Sequence, residues 1–463
     1  MKNNNQHTER STRFRWIVAG LFFLVYTVAS ADRANLGVAL PFIRKEFPMT
    51  NAEAGALLSI FLLAYALAQI PSGFASSRFG VRRIFSFSMI ATSVFTGLMG
   101  TVNSVIGLKI CRFALGIAEG PLPIGITATI NNWFPAKEKG TATGIFLAAV
   151  KFGPVLVPPL CVAIVAVWGW REIFYFFAIP GILLSIIWYF VVANQPSESK
   201  FVNAQELAHI TDESHNTIIL TENAKQRNFK RLDKFIRVAE VEPITSSKGL
   251  FGSWNIIGCS LGYSFQVGIS MIMLSWIPTY LITVKNFSIM NMGFVAAAPW
   301  VGAIFGNILG GILSDRFLGK RRKPGMMLSA LATTGMMYAL VNSPNDPALY
   351  AALLFATGTL LSIGYSSYMV YPMGLSSKKV FPVASSIVNT GGQLGGAAAP
   401  FLVGLLLDSY GWSQVFICMA AASFISFLIL FTIKEPIPAT LVEGEQEPSV
   451  EKEKLSNFAP SKG

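Results

Sequence analysis

Runs of roughly 20 or more predominantly apolar residues recur along the chain, separated by short polar stretches. A run of that length crosses the hydrocarbon of a bilayer as an α-helix. Twelve runs begin near Trp16, Ala54, Ile84, Val105, Gly140, Ile173, Phe251, Asn291, Met326, Ala348, Val383 and Ser413, and each predicts one span. The rhythm breaks between about Ala193 and Lys248, where eight basic and eight acidic side chains occur. Six runs precede this segment and six follow it. The pattern predicts an all-α membrane protein of twelve transmembrane helices in two six-helix bundles. The expected parts are a cytoplasmic N-terminus (1–14), a first bundle (15–194), a central cytoplasmic loop (195–248), a second bundle (249–434) and a tail (435–463). Within the loop, Asn203 to Ile210 reads as a helix lying on the membrane surface. The tail, rich in Glu, Lys, Ser and Pro, reads as disordered.

Composition sharpens the class. Hydrophobic residues make up 52% of the chain and charged residues 13%, against about 25% charged in soluble domains. The first run is too long for a cleavable signal peptide and contains Asp32 and Arg33. The net charge of +12 raises the question of nucleic acid, and its distribution answers it. With the N-terminus inside, 28 of the 36 Lys and Arg fall in inside-facing segments and four in outside loops. This is the positive-inside pattern, which puts both termini in the cytoplasm and leaves no nucleic-acid footprint. The four cysteines lie singly in spans without metal spacing, and the three histidines lie outside the spans. A histidine proton relay within the membrane is thereby excluded. No nucleotide loop, metal cluster or nucleophile–base set appears, so the chain does not read as an enzyme.

An internal repeat supports the division into halves. Gly73, Arg78, Gly80 and Arg82 follow the second span in Gly73-Phe-Ala-Ser-Ser-Arg-Phe-Gly-Val-Arg-Arg83. Gly311, Asp315 and Arg316 follow the eighth in Gly311-Ile-Leu-Ser-Asp-Arg-Phe-Leu-Gly-Lys-Arg-Arg322. Glycine here permits close helix approach, and the basic cluster can meet helix C-termini and a neighbouring acid, a gating and structural role. Parallel repeats of six spans are the plan of the major facilitator transporters. The fifth and eleventh spans are both rich in Gly and Pro (Gly153, Pro154, Pro158, Pro159; Gly391, Gly392, Gly395, Gly396, Pro400). These residues serve tight helix packing or bending.

Charges inside the spans carry the functional signal. Of 24 acidic residues only Asp32 and Glu119 lie deep, while Asp315 and Asp408 sit at span ends. An ionised group at the bilayer centre costs roughly 2.5–3.5 kcal/mol on insertion scales, so it is kept for pairing or for work. Deep carboxylates are natural proton carriers, and they can also form fixed pairs, Asp32 with Arg112 or Glu119 with Arg33. Arg112 and Glu119 are separated by about two turns, roughly 10 Å, and present a cation and an acid at two depths of one helix. Arg33, Arg112 and Lys151 outnumber the two acids, which favours an anionic solute. A guanidinium forks onto a carboxylate through two hydrogen bonds. Tyr65, Gln69, Tyr365, Tyr368, Asn389 and Gln393 are candidates to read hydroxyls. Lys109 reads as a snorkelling side chain, and Trp276 to Tyr280 as part of a gate or the outer interface.

These residues resemble the anion:cation symporter family of the major facilitator transporters, which includes bacterial hexuronate, aldonate and aldarate transporters. The marks are Asp32-Arg33-Ala-Asn35-Leu36, Tyr65 with Gln69-Ile-Pro71-Ser-Gly73, Arg112 with Gly116 and Glu119, Trp133-Phe134-Pro135, and Asn389 with Gly391, Gly392, Gly395 and Gly396. The resemblance implies proton coupling at Asp32 and Glu119, and sugar-acid binding by Arg33, Tyr65 and Asn389. It matches Arg112 to a further family arginine. The chain departs from the family pattern at Ser30, where an aromatic is common. It departs again at Ser77, in place of an Asp, and at Val150, in place of a Gln, followed by Lys151. The extra cation suits a second acidic group on the substrate.

The expectation is a proton-coupled symporter importing a small organic anion, a sugar acid or related carboxylate, in the bacterial inner membrane. It is expected to act as a monomer, without a cofactor other than the coupling proton. Sodium coupling stays open. Exchange against phosphate would need arginines but not Asp32 and Glu119. A transporter-like sensor would need a signalling domain, for which the central loop is too short.

Overall fold

The computed structural model describes residues 12–211, 230–239, 241–319, 321–377 and 380–436. The expected N-terminal segment up to residue 11, the middle of the central loop and the tail beyond Pro436 lie outside the described residues. The first half contains α1 (Phe14–Glu46), α2 (Asn51–Phe79), α3 (Val81–Met99), α4 (Val105–Glu119) continuing into α5 (Pro121–Trp133), α6 (Ala136–Val167) and α7 (Trp170–Val191). The central segment holds α8 (Ala204–Thr211), α9 (Lys230–Phe235), strand β1 (Val238–Ala239) and α10 (Ser247–Gly252). The second half contains α11 (Trp254–Ser275) with α12 (Ile277–Thr283), α13 (Ile289–Ile312), α14 (Lys323–Val341), α15 (Pro347–Ile363) with α16 (Tyr365–Val370), α17 (Phe381–Ser409) and α18 (Trp412–Thr432). Strand β2 (Glu435–Pro436) closes the described chain.

Six rods per half follow, in the order the apolar runs predict. Eleven are long and apolar enough to cross a membrane. The twelfth, α3, is diluted by Ser86, Ser88, Thr92, Ser93 and Thr96, all buried inside the bundle. Ser185 donates to Ser86 O at 2.8 Å, and Ser88 donates to Ala118 O, so hydroxyls join α3 to α7 and α4. Helix starts are coded locally. Thr50 and Glu53 form a capping box at α2, and Ser104, Ser288 and Asp346 accept from the first turns of α4, α13 and α15.

The halves meet at one end only. The start of α1, strand β2 and the described central segment mark the near end; the α1–α2 turn marks the far end. A single apolar core at the far end draws on both halves, including Leu36, Phe61, Ile272, Trp276 and Tyr350. Toward the near end it divides. One core, around Phe22, Trp133 and Trp188, belongs to the first half, and another, around Tyr263, Met326 and Tyr371, to the second.

Glycines record the same geometry. A Cβ on Gly404 would lie 2.3 Å from Asn51 O, and one on Gly55 would lie 2.6 Å from Pro400 O, so α2 and α17 touch backbone to backbone. On the other flank a Cβ on Gly293 of α13 would lie 2.7 Å from Val162 of α6. Continuing that antiparallel register would set Gly144 opposite Gly311, yet neither has a heavy atom within 4 Å of its Cβ position. The helices have parted there. The structure is closed at the far end and open at the near end.

The central segment is tied to both halves. Glu206 of α8 accepts from Phe14 N at 3.0 Å and from Arg15 N at 3.1 Å, capping α1, and the helix expected near Asn203 to Ile210 runs from Ala204 to Thr211. Asp233 of α9 takes Arg321 in a fork, at 2.5 and 2.8 Å. The tail begins differently from expectation. Glu435 is buried and accepts from the backbone of Arg322 and Lys323 at 2.8 and 2.7 Å, while β2 pairs in parallel with β1. These two residues close the second half rather than opening a disordered tail.

Candidate substrate and proton site

The deep charges gather on α1 and α4 of the first half. Asp32 is 1% exposed, Arg112 2% and Glu119 0%. Of the two pairings open from sequence, the structure forms one. Arg33 donates from Nε and Nη2 to a single oxygen of Glu119, at 2.8 and 2.5 Å. The other oxygen, Oε2, is buried without a hydrogen-bond partner among the described residues. The expected alternative, Asp32 with Arg112, is not an ion pair. Arg112 Nη1 donates to the backbone carbonyl of Asp32 at 2.8 Å, and Asn35 donates to the Asp32 carboxylate at 3.1 Å. The seven-residue spacing explains the division. Glu119 reaches α1 at Arg33, and Arg112, two turns away on α4, meets the adjacent backbone.

Aromatic rings hold the guanidinia. Arg33 lies 4.6 Å from the Tyr65 ring centroid and 5.8 Å from that of Phe61; Arg112 lies 4.7 Å from the other neighbour it shares, Phe61. The Tyr26 hydroxyl sits 3.3 Å from Arg33 Nη2. Phe61 and Tyr26 escaped the sequence reading. Their signal was present: Tyr26 is two turns from Arg33 on α1, and Phe61 is one turn from Tyr65 on α2.

Across the opening, Lys151 of α6 reaches the second half. Its Nζ lies 4.8 Å from the Tyr365 ring centroid and 5.7 Å from that of Trp300. Among the described residues it has no ion pair, and it is half-buried rather than sealed. Ser30 accounts for its placement. Its hydroxyl donates to Ala149 O at 3.1 Å, and a Cβ on Gly153 would lie 2.1 Å from Ser30 Oγ. The small pair draws α6 against α1 at the level of Lys151; an aromatic at position 30 would force them apart.

Gln69, Asn389 and Gln393 are half-buried. The α2–α17 contact continues from 51 against 404 and 55 against 400 to Leu62, whose Cδ1 lies 3.7 Å from where a Cβ on Gly396 would stand. Tyr65 and Gln69 on α2 and Gln393 and Asn389 on α17 follow that contact toward the near opening, over about one turn of each helix. Tyr368 departs from expectation. It is fully buried in the second half's own core against Tyr263, ring centroids 5.4 Å apart, and does not join the group. Tyr365, three residues earlier on the short α16, faces Lys151 instead. The glycines of α17 are explained by packing, since Cβ atoms on Gly391, Gly392 and Gly395 would collide with Ser260, Tyr263 and Ser264 of α11.

The repeat motifs differ between halves. At Gly73 and Gly311 no close approach occurs, contrary to expectation, because both lie where the halves have separated. Gly80 takes φ +80°, and the Asn194 side chain accepts from Arg82 N at 2.9 Å. In the second motif Asp315 pairs with Arg322 at 2.9 Å, on a π-helical turn, while Arg316 and Arg78 are both exposed.

The far closure contains a further contact. Asp408, at the end of α17, accepts from Asn51 N at 2.9 Å and Ala52 N at 2.8 Å, capping α2 of the opposite half. Trp276, expected at a gate or outer interface, donates to Pro400 O at 3.0 Å in this same region.

Comparison with known proteins accords with this geometry. The chain is similar to the probable galactarate/D-glucarate transporter GudP of Escherichia coli K12, 28% identical over 416 residues, covering 87% of this chain and 89% of the relative. It is similar to the probable L-galactonate transporter of the same strain, 28% identical over 445 residues, covering 93% and 92%. Among solved structures, a bacterial homologue of the human lysosomal transporter Spinster, inward-facing and occupied, superposes with TM-score 0.71 at 18% identity, covering 91% of this chain and 97% of that one. The profile of the Major Facilitator Superfamily matches residues 22–400 and 345–460. With twelve helical rods in two halves and a polar, charged level between them, the chain belongs to the Major Facilitator Superfamily of membrane transporters.

Proposed function

We propose that this protein is a proton-coupled symporter that imports a small organic anion, a sugar acid or related carboxylate, across the bacterial inner membrane. Both termini lie in the cytoplasm, so the described state opens inward, and the monomer is the working unit. The observation that carries the reading is the Arg33–Glu119 pair, with both guanidinium donors on one oxygen and the other oxygen unpartnered. A substrate carboxylate that takes Arg33 as its fork leaves Glu119 a buried charge without its cation. Such a charge is costly, and binding a proton removes the cost. Substrate binding and protonation thus favour each other. Asp32, equally buried and held only by neutral donors, is the second proton site. The names of the relatives, transporters of aldarates and an aldonate, support the sugar-acid class.

Proteoliposomes loaded at neutral pH and diluted into acidic buffer should accumulate labelled galactarate, glucarate or galactonate above the external concentration. A protonophore should abolish the accumulation. Uptake driven by a sodium gradient and indifferent to pH would replace the proton with sodium. No uptake of any sugar acid would remove the substrate class.

A second reading within this class is favoured by Lys151. It is a deep cation that, among the described residues, is neither paired, as Arg33 is, nor sealed, as Arg112 is. It stands on α6, where that helix packs against α1, and its Nζ reaches the Tyr365 and Trp300 rings of the second half, so a second cation beside Arg33 suits a substrate acidic at both ends, as galactarate and glucarate are.

A further inference from the structure

The two copies of the glycine–arginine motif have the same basic character and different acid supply. In the second half, Arg322 has Asp315 at 2.9 Å, Arg321 has Asp233 at 2.5 Å, and Glu435 caps the adjoining backbone. In the first half, Ser77 stands where Asp315 stands, and Arg78, Arg82 and Arg83 have no carboxylate partner among the described residues. The same three arginines line one cavity of about 380 Å³, with Phe79, Tyr189 and Asn194. Its wall is fixed rather than loose. Arg82 Nε donates to Tyr189 O at 2.5 Å, its guanidinium lies 4.7 Å from the Tyr189 ring centroid, and its backbone N–H is held by Asn194.

We propose that this cavity binds the phosphate of an anionic phospholipid, which supplies the negative charge that acidic side chains supply in the second half. Three observations select a lipid over a free anion. The cavity lies where α2 ends, α3 begins and α7 ends, at the edge of the membrane-spanning region. It is roomier than a bare phosphate requires. Phe79 in its wall is 54% exposed and Phe190, beside Tyr189, is 71% exposed, so apolar surface for acyl chains adjoins the basic surface. Basic pockets between helix ends on the cytoplasmic side are suited to such headgroups, with each nearby Arg contributing to the attraction.

The test uses the full-length protein in phosphatidylcholine nanodiscs titrated with phosphatidylglycerol, with retained lipid counted by native mass spectrometry. Arg78→Gln with Arg83→Gln removes two charges from exposed side chains and leaves the structural Arg82 in place. It should require roughly 30-fold more phosphatidylglycerol for the same occupancy, two charges' worth of attraction. Ser77→Asp, restoring the acid of the second motif, should also weaken retention. Lys200→Gln with Arg231→Gln, equal in charge but on the central segment, should not. Equal retention by wild type and the arginine double variant would overturn the proposal. So would loss of the lipid to millimolar inorganic phosphate, which marks a free-anion site, or an equal effect of the control pair, which marks bulk charge.

Discussion

Arg33 and Glu119 meet with two donors on one oxygen, 2.8 and 2.5 Å, while the second carboxylate oxygen is buried without a partner. The arginine spends both of these donors on one oxygen, with Nη2 also shared with the Tyr26 hydroxyl, and the acid is half satisfied. A pair in this state can be opened by a ligand carboxylate, and the cost of opening falls if Glu119 accepts a proton. This relationship ties solute and proton to one element, and its failure modes can be separated.

Glu119→Gln and Asp32→Asn should abolish proton-driven accumulation. A coupled proton supports roughly tenfold accumulation per unit of pH gradient, since each unit is worth about 1.4 kcal/mol. In Glu119→Gln, exchange of external labelled substrate for internal substrate should persist, because exchange does not require release of the proton. Counterflow and uptake assays in proteoliposomes distinguish the two. Full accumulation by both variants would remove these acids from coupling.

Arg33→Lys keeps the charge but loses the fork, so substrate affinity should fall roughly 10- to 100-fold, the worth of one charged hydrogen bond. Arg33→Ala should bind no measurable substrate. It should also be less stable by about 3–5 kcal/mol, because Glu119 is left buried without its cation. In that background Glu119→Gln should recover stability but not binding. Thermal unfolding and substrate-induced thermal shifts read the two effects separately. An unchanged affinity in Arg33→Ala would exclude it from the site.

Lys151→Ala should weaken binding of galactarate or glucarate roughly tenfold, through loss of one charge-assisted contact, and change galactonate by less than about twofold. Lys151→Arg should retain the preference. Competition by each acid against a common labelled substrate measures it. Equal changes for mono- and diacids would leave Lys151 a packing residue against Tyr365 and Trp300.

Much of this was legible in the residues. Twelve apolar runs and a repeated motif fix two six-helix halves, because span length and local capping need no long-range information. The deep charges were also legible, since the bilayer makes each of them conspicuous. Their pairing was not. Arg33 with Glu119 and Asp32 with Arg112 satisfy the sequence equally, and only the rotation of α4 against α1 chooses between them. Tyr365 and Tyr368 differ by three residues on the short helix that follows Gly364, and which one faces Lys151 depends on how α16 is set against its neighbours. Glu435 looked like the start of a polar tail because its partners, the backbone of Arg322 and Lys323, carry no sequence signature.

The far closure should be a gate held by backbone contact. Asn51 and Ala52 donate to Asp408, and Gly404 lets Asn51 O approach to within 2.3 Å of where a Cβ would stand. A side chain at 404 meets backbone, which cannot move aside as a flexible side chain could. Gly404→Val should therefore hold the two halves apart at the far end and populate the outward-open state. Asp408→Ala removes a helix cap worth about 0.5–2 kcal/mol, which biases the same equilibrium without blocking it, by roughly 2- to 30-fold. A cysteine introduced at Gln393, in a background with Cys111, Cys161, Cys259 and Cys418 replaced, reports the outcome. Labelling from the outside should rise strongly in Gly404→Val with loss of transport, and modestly in Asp408→Ala with transport retained. If neither variant changes outside labelling, the contact at Asn51 is not what keeps the far end shut.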